Sequence, residues 1–317
     1  MAGEHEWGQK LQIYYRGSIK SCNYSCGYCP FSKKKATREQ RQKDIEELFR
    51  FTAHLVEKKI QNCAVQIVPY GEVLHIAHYW EAMARLSRQE GIEAVGCQTN
   101  LSFAIEGVND KLWYYKSFGG DISKLRLWCT FHPSMTSLEE FISQCQKLSA
   151  YQLLYCVGAV GVPENLELLQ NLRQLLPDTV YMWINKMDGL KRPYTKEEVE
   201  AFQAIDPYFQ LELEHKKADV SKCRKSLFVE ADGKTSFCNI GINSMLSEKI
   251  EDAQFLYEEE QPLSNFYDMD LAHLMAYTYT CKRKECSCYL AYCNRNDLEE
   301  LSVFQPYPAF RIPARCT

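Results

Sequence analysis

Between Leu11 and about Asp206 the sequence alternates a short β-rich apolar run with a longer amphipathic stretch, six times over, and this alternation narrows the fold more than any other feature. A strand buried on both faces reads as a continuous apolar run, whereas a helix packed on one side repeats apolar residues every three or four positions. The runs are Leu11–Tyr15, Ala64–Pro69, Glu93–Thr99, Leu125–Phe131, Leu153–Val160 and Val180–Asn185. Helices are predicted over Glu39–Lys58, His75–Arg88, Leu138–Leu148, Glu164–Leu175 and Lys196–Ile205, with polar starts such as Thr136 that suit caps. Strand and helix in succession build βα units and a parallel sheet. The expected class is therefore α/β, a partial (β/α)6 TIM-like barrel, whose sites gather at the C-terminal strand ends. After about Pro207 the alternation stops and the charged stretch Glu212–Asp219 leads into a cysteine-rich region. The expected division is a barrel over residues 1–206 and a small cysteine-rich α+β domain over 207–317.

With 317 residues, 46% of them hydrophobic, the chain can bury a large core and still support an appendage. No stretch approaches the roughly 18 apolar residues of a membrane span, and Met1–Lys10 lacks the pattern of a secretion signal. The expected location is the cytoplasm. A net charge of −4 argues against nucleic acid as a partner, and the basic run Lys33–Lys43 reads as a solvated helix face. Fifteen cysteines in a reducing compartment point to metal binding or catalysis rather than disulfides. Cys22, Cys26 and Cys29 crowd the loop after the first run, and six more fall between Cys223 and Cys293.

The segment Ser21-Cys22-Asn23-Tyr24-Ser25-Cys26-Gly27-Tyr28-Cys29-Pro30 is a CxxxCxxC motif. Three thiolates hold three corners of a four-iron four-sulfur cluster and leave the fourth iron open for a substrate or cofactor. Structural zinc draws four ligands, commonly from paired knuckles, and no fourth ligand lies nearby.

The triplet spacing, the aromatic Tyr28 before the last cysteine and the position after strand one resemble the radical S-adenosylmethionine (AdoMet) superfamily over the first two-thirds of the chain. The resemblance implies that Cys22, Cys26 and Cys29 ligate the cluster and that Tyr28 belongs to the cofactor site. It also implies that the open iron chelates AdoMet and that an electron, from a donor such as flavodoxin or ferredoxin, cleaves the sulfonium to methionine and a 5′-deoxyadenosyl radical. Pro69-Tyr70-Gly71-Glu72 resembles the family's Gly-Gly-Glu against the AdoMet amino group, with Tyr70 replacing the first glycine; alone, Gly-Glu also simply opens a helix. Asn100 and Ser102, in Gln98-Thr99-Asn100-Leu101-Ser102, are expected to meet ribose or substrate, or to build a turn. His132, in Thr130-Phe131-His132-Pro133, is a substrate or ribose contact or a structural histidine, and with Asn100 it is the candidate catalytic residue. Gly158–Glu164 partly matches the adenine-edge stretch, which assigns the backbone of Val160 and Gly161 to adenine although Val157 departs from the expected glycine.

In the C-terminal region Asp232-Gly233, flanked by Leu227–Ala231 and Lys234–Phe237, predicts a hairpin that brings Cys223 and Cys238 towards one site. This pair resembles the opening of the SPASM and twitch domains, which bind auxiliary iron–sulfur clusters, while the later CxxxxCxC spacing departs from the full pattern. The resemblance implies one further cluster held by Cys223, Cys238 and two of Cys281, Cys286 and Cys288, since two clusters ligated by protein alone need about eight thiolates. A zinc ribbon uses the same residue type. Cys293 and Cys316 receive no role, and Cys63, Cys97, Cys129, Cys145 and Cys156 read as small buried hydrophobes. Where the sulfatase-maturing branch has an aspartate base after its second hairpin cysteine, this chain has Asn239, so formylglycine formation by that route is not expected. The chain as a whole is most similar to a small radical AdoMet family with no assigned substrate. Three readings follow: a radical enzyme modifying a peptide, protein or pathway intermediate; one acting on a small molecule or nucleotide; and a non-catalytic iron–sulfur or zinc protein that senses redox state or scaffolds partners.

Overall fold

The computed structural model describes residues 10–29, 31, 35–214, 226–236, 265–270 and 303–313, with backbone alone at 216–217 and 285–286. Its first half follows the expected alternation: β1 (Leu11–Arg16), α1 (Arg38–Lys58), β2 (Cys63–Ile67), α2 (Ala77–Ser87) and β3 (Ile92–Thr99). Next come α3 (Lys111–Ser117), β4 (Leu125–Phe131), α4 (Leu138–Ala150), β5 (Leu154–Gly161), α5 (Leu166–Leu175), β6 (Met182–Lys186), α6 (Lys196–Gln203) and α7 (Phe209–Leu213). All six predicted strands form, and β1 and β2 are buried along their whole length, the polar Gln12, Arg16 and Gln66 included, which is why they read as mostly apolar runs without polar alternation. Capping boxes start three of the helices, at Thr37 with Gln40, Ser137 with Glu140 and Thr195 with Glu198. The cap of α4 is thus Ser137 rather than Thr136, whose hydroxyl donates to Glu140 instead. Helix α3 is not among the predicted elements.

The sheet order is β6-β5-β4-β3-β2-β1-β8-β9, where β8 is Ser226–Glu230 and β9 is Thr235–Ser236. Every pairing from β6 to β8 is parallel, and β8 and β9 form the expected antiparallel hairpin around Gly233, at φ +89°. The six predicted strands therefore gain a seventh parallel neighbour: β8 lies beside β1, in the register Tyr14↔Phe228 and Arg16↔Glu230. It comes from the region expected to form the C-terminal domain. A separate two-stranded pairing joins β7 (Lys216–Lys217) to β10 (Glu285–Cys286).

Alternation along the strands divides the core in two. Ile13, Tyr15, Val65, Val95, Leu127 and Val157 face the helices. Tyr14, Ala64, Ala94, Trp128, Trp183 and Phe228 face inward, where Phe304, Phe310 and Ile312 pack onto them. In this inner layer the guanidinium of Arg311, wholly buried, lies 3.2 Å from the ring centre of Trp183 and 4.8 Å from that of Trp128, and the Ala309 N–H donates to Gln12 Oε1 at 3.1 Å. Cys63, Cys97, Cys129, Cys145 and Cys156 are buried, and burial pushes the thiols of Cys63 and Cys145 up to about 12. No helix among the described residues is long and apolar enough to cross a membrane. Cys223, Cys238, Cys281, Cys288, Cys293 and Cys316 lie outside the described residues, and of Cys286 only the backbone is described, paired with Lys216.

Candidate cofactor site

The cysteine loop leaves β1 at Arg16 and is fastened at two points. The first is Asp44 of α1, wholly buried. It accepts hydrogen bonds from the Ile19 N–H at 3.0 Å, the Ser18 hydroxyl at 3.3 Å and the Tyr79 hydroxyl at 2.6 Å. A side chain at Gly17 would run into the Tyr79 hydroxyl and the Asp44 carboxylate, so a glycine there admits the anchor. The second is Gly71, where a Cβ would collide with the Ser21 carbonyl oxygen that accepts the Glu72 N–H at 3.2 Å. The glycine of the Tyr-Gly-Glu segment therefore lets the chain's own cysteine loop pack against the end of β2. Within the loop a turn closes through the Cys29 N–H and the Cys26 carbonyl at 3.2 Å.

A cavity of about 210 Å³ opens at the C-terminal ends of β1 to β4. Cys22, Cys26, Cys29, Gly71, Glu72, Asn100 and His132 all contribute to its lining. Cys26 is buried, while Cys22 and Cys29 are partly exposed. Burial raises the Cys22 thiol, opposed by the Tyr24 N–H that donates to its sulfur at 3.4 Å. The Asn100 side-chain amide stands 3.8 Å from the same sulfur.

Glu72, 7% exposed, ties the end of β2 to that of β3. Its Oε1 accepts the Leu74 N–H at 2.8 Å, and its Oε2 accepts the Thr99 hydroxyl at 2.9 Å and the Asn100 N–H at 2.6 Å. Burial raises its carboxyl, and these donors pull the other way. Leu101 sits in the left-handed region at φ +58°, so the chain turns sharply where Asn100 and Ser102 meet the loop. The Asn100 amide donates to Asn23 Oδ1 at 3.0 Å, the Asn23 amide to the Ser102 hydroxyl at 3.0 Å, and that hydroxyl lies 3.0 Å from His75 Nε2.

The Tyr28 hydroxyl is 2.7 Å from Nδ1 of His132, whose ring also meets the edge of Tyr24. Burial pushes His132 down to about 4, so its ring is neutral at neutral pH. Tyr28 and Ser102 reach the cavity through His132 and Asn100 rather than lining it themselves. Val160 and Gly161 lie at the same end of the sheet but outside the lining, and the Gly161 carbonyl accepts the Tyr194 hydroxyl at 2.7 Å.

Two further residues carry the site: Asp44, which the sequence did not single out, and Tyr70, which it marked only as a departure from Gly-Gly-Glu. Asp44 looked like one acid in a charged helix. Tyr70 lines the cavity, donates to Glu230 Oε1 at 2.8 Å and lies beneath Arg16 and Lys20, with their cationic groups 5.1 and 5.2 Å from its ring centre. Tyr70 thus links the cavity wall to the added strand β8.

Among the described residues no three His, Cys, Asp or Glu side chains converge on a single metal ion. A four-iron cluster takes one thiolate per iron and so spaces its ligands around a body several atoms wide. Three thiols around one cavity, with N–H donors near the Cys22 sulfur, fit that need.

No family model matches the sequence, and no curated protein matches it either. Among solved structures, anSMEcpe with bound AdoMet, an anaerobic sulfatase-maturating radical AdoMet enzyme, aligns with a TM-score of 0.50 at 11% identity, over 84% of this chain and 78% of that one. The same protein with AdoMet and the Kp18Cys peptide aligns with a TM-score of 0.50 at 13% identity, over 84% and 80%. The mixed α/β chain therefore shares the fold of anSMEcpe.

Proposed function

We propose that this chain is a radical AdoMet enzyme in which Cys22, Cys26 and Cys29 hold a four-iron four-sulfur cluster, acting on a peptide, protein or pathway-bound intermediate. The observation that carries this reading is that the three thiols share one cavity with Glu72, Asn100 and His132 at the C-terminal strand ends. When bound, the cluster supplies the electron that cleaves AdoMet to methionine and a 5′-deoxyadenosyl radical, which takes hydrogen from the substrate. The chain's own residues do the rest. Asp44 and Gly71 fix the cysteine loop, Glu72 holds the ends of β2 and β3 together, and Asn100 presents its amide to the cavity while Ser102 braces it from behind. In the same reading, carried over from the resemblance, Gly71 and Glu72 would meet the AdoMet amino group and the backbone of Val160 and Gly161 its adenine. The peptide class is supported by the peptide-bound neighbour in fold. An auxiliary cluster on Cys223, Cys238 and two of Cys281, Cys286 and Cys288 belongs to the same proposal, as does electron delivery by a flavodoxin or ferredoxin.

The test is anaerobic reconstitution followed by AdoMet and dithionite. The chain should release 5′-deoxyadenosine, and Cys26→Ala should release none. Zinc in place of iron, or cleavage unaffected by Cys26→Ala, would refute the reading.

A further inference from the structure

We propose that Asn100 is a positioning residue for the cluster, its side-chain amide donating an N–H to the sulfur of Cys22 and so raising the reduction potential. A backbone group settles which way round the amide lies. The Ser102 N–H meets Asn100 Oδ1 at 3.1 Å, and a main-chain N–H can only donate. Oδ1 therefore faces Ser102, whose hydroxyl reaches the same oxygen, and the NH2 group faces the cysteine loop. There it meets Asn23 Oδ1 at 3.0 Å and Cys22 Sγ at 3.8 Å, two acceptors for two hydrogens. The Cys22 sulfur also lies 3.9 Å from that Asn23 oxygen, a contact that needs the thiol proton and ends once the sulfur binds iron. The amide N–H donates whichever form the sulfur takes.

The backbone of Asn100 is held as firmly. Its N–H donates to Glu72 Oε2 at 2.6 Å, and Leu101 turns the chain at φ +58°. Asn100 is only 6% exposed, so the donor is carried on a fixed turn. The Tyr24 N–H reaches the same sulfur at 3.4 Å. Cys22 thus receives one donor from its own loop and one from the end of β3. A donor beside a ligating sulfur favours the more negative, reduced cluster, and hydrogen bonds to the sulfurs are among the terms that set its potential. A cluster held this way takes up its electron more readily. The inference rests on the radical AdoMet reading for the cluster, while the orientation of the amide does not depend on it.

The experiment is a reductive titration of the full chain, reconstituted anaerobically and followed by EPR, with the signal that AdoMet perturbs marking the cluster in question. In Asn100→Ala, which removes the donor, the reduction equilibrium should weaken about tenfold, the worth of one such hydrogen bond, or about 59 mV for one electron. Asn100→Asp keeps an oxygen for the Ser102 N–H and should fall further, because it adds a negative charge. An unchanged or higher potential in Asn100→Ala would overturn the proposal, whatever the aspartate does. If that variant holds no iron, a second measurement decides. The parent chain, labelled with ¹⁵N at asparagine side-chain amides, should show a ¹⁵N coupling on the same signal in pulsed EPR. The Asn23 amide points to Ser102, so the coupling belongs to Asn100, and its absence would equally overturn the proposal. A parent chain with no reducible, AdoMet-sensitive cluster would refute the AdoMet reading and this proposal with it, whereas such a cluster at unchanged potential refutes this proposal alone.

Discussion

Gly71 carries no side chain because the carbonyl oxygen of Ser21 occupies the space a Cβ would need. The cysteine loop and the end of β2 are thus fitted backbone to backbone. Gly71→Ala should fold, at a cost of about 1–3 kcal/mol for forced overpacking, yet lose most of its iron on reconstitution because Ser21 and Cys22 are displaced. Iron and sulfide counts equal to those of the parent would show that the close approach does not set the loop.

Asp44 satisfies a buried N–H and two hydroxyls at the base of the same loop. Asp44→Ala leaves these donors unmatched and should cost about 2–4 kcal/mol, while Asp44→Asn, which keeps one acceptor, should cost about half as much. Urea unfolding midpoints give the ranking. If alanine proves no worse than asparagine, the carboxylate is not the anchor.

At Glu72 both oxygens accept from protein donors. Glu72→Gln turns one acceptor into an N–H facing N–H or O–H groups, whichever way the amide is placed. The expected loss is about 2 kcal/mol of stability together with most AdoMet cleavage. Wild-type stability in this variant would mean that the β2–β3 tie is dispensable.

His132 is neutral in the folded chain down to about pH 4, against an ordinary value of 6.5. Its folded value is depressed, so its share of stability is present above pH 6.5 and is lost as pH falls towards 4. Unfolding free energy measured across that window should drop more steeply in the parent than in His132→Gln. Parallel curves would place the histidine in a more hydrated setting than its burial implies.

Much of this architecture was written locally. The six strands were legible because each is buried on both faces, and the thiol triplet because its spacing is contained in eight residues. Helix α3 was missed because it has seven residues and buries only Leu112 and Tyr115, leaving Trp113 60% exposed and no apolar stripe to read; its one signal was the Asp110 cap. Strand β8 was read as half of a hairpin, which it is. Its parallel partner β1 lies some two hundred residues earlier, and no local pattern encodes such a pairing. The role of Asp44 and the contact between Tyr28 and His132 were hidden for the same reason, since each depends on segments that meet only in the folded chain.

The packing of residues 303–313 against the inner face has a consequence for how the protein is made. Ala309 meets Gln12 across 297 positions of sequence, so a ribosome has threaded out the whole sheet before the segment that covers its aromatic lining emerges. Until then Trp128, Trp183 and Phe228 have no cover from that segment, and the growing chain presents a sticky surface that a chaperone would recognise. Shortening the gene before codon 303 should therefore yield aggregates rather than a smaller enzyme, even though every residue of the proposed iron site would still be encoded.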